Sequence, residues 1–169
     1  MTDRAPLELP RPWLPVVVAT YVALGILFVG VALVQYGLVA LSGYYAETLE
    51  PEYARWQYPL LLPSLAFGLC VQLGVVATAV LVARVRAGSI LEPGAVRWVD
   101  VLVGATTVAG LLSVTLVVLL RLADAVPPGV MLVLVVAGVG LLVLDLLLLV
   151  LRSLLRRAIL LRAELDEVV

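Results

Sequence analysis

The sequence predicts an all-α membrane protein, a four-helix transmembrane bundle with a cytoplasmic C-terminal helical stem, and three observations carry that prediction. First, 64% of the 169 residues are hydrophobic and 14% are charged, against about 25% charged in an average soluble domain; mean hydropathy is +1.19. Second, apolar runs long enough to cross the roughly 30 Å hydrocarbon core recur four times, separated by short polar tracts. Third, apart from Asp145, the charges collect at the ends of those runs.

Residues 1–12, with Arg4, Arg11 and three prolines, read as an irregular arm. The first span covers about residues 14–41, inside a charge-free stretch from Trp13 to Ala46. That stretch far exceeds the roughly 7–15 apolar residues of a signal-peptide core, so it reads as a retained span. Trp13 stands where an interfacial anchor belongs, and Gln35 and Tyr36 are expected to hydrogen-bond to a neighbouring helix. Tyr44, Tyr45, Tyr53, Trp56 and Tyr58 mark the opposite interface. Glu50-Pro51-Glu52 resembles a helix start, with proline and carboxylates both favoured there. Glu47, Glu50 and Glu52 read as a solvated loop; a cation site is the alternative.

The second span, about 59–83, carries Ala66, Cys70, Gly74 and Thr78 every four residues, a row of small side chains that lets another helix approach closely. Arg84 and Arg86 close it, and Gly88-Ser89 with Pro93-Gly94 supply turn chemistry. The third span, about 98–120, opens with Trp98 and Asp100 and closes at Arg121 and Asp124. The fourth covers about 129–151, and the other three are expected to pack around it. Of its 23 residues, seventeen are Leu or Val. At about −0.3 to −0.6 kcal/mol each, they outweigh the roughly +3 kcal/mol of one Asp. The tail, 152–169, continues the helix with the basic cluster Arg152, Arg156, Arg157 and Arg162, then ends acidic at Glu164, Asp166 and Glu167. The arginines suit anionic lipid headgroups, and the acidic end suits the cytosol or a protein.

Arginine placement orients the chain. Putting the N-terminus, the 84–97 loop and the tail on one side collects nine arginines and leaves Arg55 and Arg121 on the other. Both termini are therefore expected in the cytoplasm. Counting inward from that side at about 1.5 Å per residue predicts one intramembrane polar layer of Asp145, Thr78, Thr106, Thr107, Thr20 and Tyr21. Asp145 is read there as a clasp hydrogen-bonding between helices, in which Asn is tolerated and Leu is not. The alternative is a proton or cation site.

The chain contains no His and one Cys, Cys70. That removes bis-His haem ligation, the usual zinc sites, a CxxC redox pair and the commonest general base. No cofactor, metal or catalytic residue is expected, and no direct nucleic acid binding.

The tract Gly88-Ser89-Ile90-Leu91 to Arg97-Trp98-Val99-Asp100, four spans with both ends inside, and the ending Leu161-Arg162-Ala163-Glu164-Leu165-Asp166-Glu167-Val168-Val169 resemble actinobacterial members of a membrane family, domain of unknown function 2975. The resemblance implies a small bacterial membrane protein, in some members encoded beside a helix-turn-helix regulator, and brings no activity or catalytic residue with it. The reading is of a non-enzymatic accessory or regulatory protein that binds a protein partner through its cytoplasmic stem and loop. The alternatives are a small transporter or ion-conducting oligomer using Asp145, and a structural subunit of a larger membrane complex.

Overall fold

The computed structural model describes residues 14–48, 51–87, 93–123 and 128–167. The arm with Arg4 and Arg11, Trp13, Glu50, Gly88-Ser89, Asp124 and the side chains of Glu47, Glu52 and Arg162 lie outside the described residues. The described residues form four helices: α1 (Leu14–Thr48), α2 (Pro51–Arg86), α3 (Pro93–Ala123) and α4 (Pro128–Glu167). All four are long and apolar enough to cross a membrane, which makes this a multi-pass membrane protein.

Three of the four helices start on a proline, Pro51, Pro93 and Pro128. The fixed φ suits the first helical turn, and the N–H that proline lacks would have no partner there anyway. Each helix outruns its expected span. Pro93-Gly94 is thus the first turn of α3 instead of a connection, and Gly94 is bare enough for the Arg84 guanidinium to lie over it; a Cβ there would come within 2.7 Å of Nη1. Pro59, expected to open the second span, lies inside α2 together with Pro63. An interior proline costs about 3 kcal/mol in water. In hydrocarbon, breaking the helix would strand more backbone groups than the prolines do, so the helix runs through.

The helices pack in chain order, α1 on α2, α2 on α3 and α3 on α4, and among the described residues α1 and α4 do not meet. The expectation that three spans surround the fourth is therefore corrected: α4 touches α3 alone. With helices on both sides, α3 is the most enclosed of the four. Its buried residues Ala105, Ala109, Ser113 and Leu116 recur every three or four positions, the helical period. Small residues predominate because, without water to expel, helices in lipid gain mainly from close packing and interhelical hydrogen bonds.

The α1–α2 contact shows its register directly. The Tyr21 hydroxyl donates to the Ala79 carbonyl at 3.1 Å, and Gln35 Nε2 donates to the Leu65 carbonyl at 3.1 Å. The two bonds lie fourteen residues apart on both helices, so the pair runs antiparallel without slippage. Gln35 thus bonds across helices, whereas Tyr36 is 76% exposed. Gln35 fits because Gly68 is bare, its side chain occupying the space where a Cβ would stand.

Candidate functional site

The seam between α3 and α4 gathers polar chemistry that helical spacing puts on one stripe. On α4, Gly138, Asp145 and Arg152 are seven residues apart, almost two turns, and so share a face. On α3, Ser113, Thr106 and Asp100 follow at intervals of seven and six. Antiparallel packing then brings them together rung by rung, about 10 Å apart along the helices.

At the first rung Asp100 pairs with Arg152 through Oδ1 and Nε, and Arg156 Nη2 stands 3.8 Å from Asp100 Oδ2. Both partners of the closer pair are about one-third exposed. Such a pair contributes about 1 kcal/mol or less, and its larger effect is to fix register.

At the middle rung Thr106 Oγ1 lies 2.7 Å from Asp145 Oδ1, and Thr107 Oγ1 lies 3.0 Å from both carboxyl oxygens. Each hydroxyl also reaches a carbonyl of its own helix: Thr106 at Val103 (2.9 Å) and Leu102 (3.1 Å), Thr107 at Val103 (2.9 Å). A hydroxyl has one proton to donate and two lone pairs to accept with. Toward an ionised carboxyl, both threonines donate to it. Toward a protonated one, the carboxyl O–H donates to a threonine oxygen while the threonines donate to Val103 and Leu102. The arrangement satisfies either form with no movement of the backbone.

At the third rung Ser113, 1% exposed, donates to the Leu134 carbonyl at 3.2 Å. A Cβ on Gly138 would lie 3.2 Å from its hydroxyl oxygen. Between the second and third rungs and beyond opens a groove of about 430 Å³. Thr106, Thr107 and Asp145 form its polar end, Gly110 and Gly138 leave it room, and Val117, Val118 and Leu134 line the far part.

The remaining members of the expected polar layer are elsewhere. Thr20 donates to the Val16 carbonyl and Thr78 to the Gly74 carbonyl, each within its own helix. Tyr21 meets α2, and among the described residues α1 has no contact with α4. Depth explains the split. Gly74 faces Leu102, whose Cδ1 would stand 3.5 Å from a Cβ there, and Arg84 faces Gly94. That antiparallel register puts Thr78 opposite about residue 99 and Thr106 opposite about residue 71, roughly 10 Å deeper. Counting inward from terminal arginines missed this because packing, not the outermost charge, sets how two helices slide.

In the small-residue row, Gly74 meets α3, and Ala66, Cys70 and Thr78 are half-buried. Gly68 and Gly138, the tighter contacts, were not singled out, and neither was the Asp100–Arg152 pair. The seven-residue spacing of Gly138, Asp145 and Arg152 was the signal for the last two. Within the basic cluster, Arg152 and Arg156 face Asp100, Arg157 is exposed, and Arg162 is outside the described side chains. Among the described residues no three His, Cys, Asp or Glu side chains converge.

No curated protein and no solved structure matches the chain. The family described as Protein of unknown function (DUF2975) matches residues 41–169, from the last turns of α1 through all of α4. That stretch includes every rung of the α3–α4 seam and more than half of the sequence, and the chain belongs to this family.

Proposed function

We propose that this protein is a non-enzymatic accessory or regulatory protein of the bacterial inner membrane, with both termini in the cytoplasm, that binds a protein partner through its stem and its α2–α3 loop. The observation that supports this reading is the length of α4. Forty residues at about 1.5 Å each span about 60 Å, twice the hydrocarbon core. About half of the helix therefore stands outside the hydrocarbon, and Asp100 ties its base to α3 through Arg152 and Arg156. Above that tie the stem alternates exposed Leu154 and Leu160 with Arg156 and Arg157, an apolar and cationic surface suited to a protein groove. A photocrosslinking residue at Leu154 or Leu160, in native membranes, is expected to give a discrete protein adduct. The same residue at exposed Leu33 of α1 gives lipid adducts only. Identical patterns at both positions would refute the reading.

The nine-to-two arginine asymmetry supports the orientation. Single cysteines at Ala87 and Ala158, in a Cys70→Ser background, are expected to be labelled from the cytoplasmic side, and one at Thr48 from the other. The second reading, a small transporter or ion-conducting oligomer acting through Asp145, draws its support from the groove that ends on this carboxyl. Proton or cation flux in reconstituted vesicles that vanishes in Asp145→Asn would favour it.

A further inference from the structure

We propose that the groove between α3 and α4 is a binding site for a lipophilic amine: a single apolar chain ending in a protonated primary or secondary ammonium group that pairs with Asp145. This goes beyond the partner-binding reading and does not depend on it.

Volume and lining indicate a small-molecule site. About 430 Å³ falls within the range of roughly 300–1,000 Å³ that such sites occupy, with mostly apolar walls and a few placed polar groups. Among the described residues lining the groove, Asp145 is the only charged one. From Thr106 to Val117 the groove extends about 16 Å along α3, which suits an extended chain.

Charge and hydrogen-bond inventory select the head. An ionised carboxylate offers about four lone-pair positions; the two threonine hydroxyls take up two and leave two for N–H donors. An ammonium bearing N–H groups fills these and neutralises the charge, which hydrocarbon strongly favours. A quaternary ammonium has no N–H to give, and an alcohol has no charge. Thr107 is exposed, so the carboxyl is approachable from the groove side.

Depth selects the size. Asp145 comes seven residues before Arg152 on α4, about 10 Å from the Arg152–Asp100 pair along the helix. A phospholipid headgroup stays in the interfacial layer and does not reach it. A small amine dissolved in the membrane does.

The test uses the full chain in phosphatidylcholine nanodiscs, with decylamine, decyltrimethylammonium and decanol as probes, and native mass spectrometry to count bound molecules. Wild type is expected to retain one decylamine and to hold the other two probes at least about tenfold more weakly, as loss of a charge-assisted hydrogen bond implies. Asp145→Asn, if helical and monodisperse, is expected to lose decylamine by about the same factor. If that variant does not fold, Val114→Trp serves instead, because it fills the groove from a position 61% exposed and leaves the carboxyl in place; binding should again drop about tenfold. Equal retention of decanol or of the quaternary amine, or undiminished decylamine in the folded variant used, overturns the proposal. So does a quantitative disulfide-linked dimer of Val139→Cys in the Cys70→Ser background, which would put a second copy over the groove. Failure of any of these leaves the stem crosslinking pattern untouched.

Discussion

Ser113 on α3 and Gly138 on α4 face each other so closely that a Cβ added to the glycine would stand 3.2 Å from the serine hydroxyl oxygen. That oxygen is not free to turn away, because its proton goes to the Leu134 carbonyl in a site where Ser113 is 1% exposed. Gly138→Ala is therefore expected to cost about 1 kcal/mol in unfolding titrations in mixed micelles, through the strained or lost interhelical bond. Removing the obstruction reverses the sign: in a Ser113→Ala background the same change should be neutral or stabilising, since alanine is the better helix former. Additive effects of the two substitutions would show that the contact is not the cause.

Gly68 makes the parallel case on the other side of the molecule. A Cβ there collides with the Gln35 side chain, which is the group that donates to the Leu65 carbonyl. Gln35 is flexible, so the collision is relieved by moving it, at the expense of its bond. Gly68→Ala should lower stability by about 0.6–1 kcal/mol, whereas Gly25→Ala, with open space around it, should be neutral or slightly stabilising. Equal effects at the two positions would argue against close approach of α1 and α2.

Asp100 and Arg152 invite a charge swap. Asp100→Arg places like charges beside Arg152 and Arg156 and should destabilise, and adding Arg152→Asp should recover part of the loss. The coupling energy is expected at about 1 kcal/mol or less, falling as salt rises, since the pair is partly exposed. A coupling of zero at low salt would mean that the register is held by the two deeper rungs alone.

These three contacts show where sequence reasoning stops. The apolar runs made all four helices legible, because charge and length alone decide what can stay in hydrocarbon. The charges also marked helix ends, with Arg84 and Arg86 in the last turn of α2 and Arg121 in that of α3, and α2 opens at Pro51 beside the acidic pair; the apolar runs alone begin later than the helices, at Pro59 and Trp98 against Pro51 and Pro93. Arg84 and Arg97 flank the apolar runs of the sequence, but the sliding of α2 against α3 is settled by Gly74 meeting Leu102. Hence Thr106, Thr107 and Asp145 come together as a chemical group while Thr20, Tyr21 and Thr78 sit at another depth. Periodicity would have gone further than charge counting, since Gly138, Asp145 and Arg152 repeat at seven residues and each meets α3.

The remaining prediction concerns which partner of the middle rung depends on the other. Read as a clasp, Asp145 should be the group whose loss hurts, with Leu destabilising and Asn tolerated. The own-helix carbonyls beside Thr106 and Thr107 change that expectation. When Asp145→Leu removes the carboxyl, each hydroxyl still has a carbonyl within 2.9 Å, so no donor is left without an acceptor. The segment also becomes more apolar, which favours insertion. The substitution should therefore be neutral or stabilising. The reverse deletion is not symmetric. Thr106→Val with Thr107→Val takes away both protein donors of a half-buried carboxyl and leaves it to be satisfied by nothing on α3. Stranding a buried polar group costs about 1–3 kcal/mol, so the double threonine variant should be the less stable by at least about 1 kcal/mol. Adding Asp145→Leu to it should restore stability, because the stranded group is then gone. The three variants and wild type form a cycle measurable by the same micelle titration. If Asp145→Leu proves the most damaging single change and the threonine pair is neutral, the carboxyl bonds to something other than Thr106 and Thr107, and the description of this rung fails.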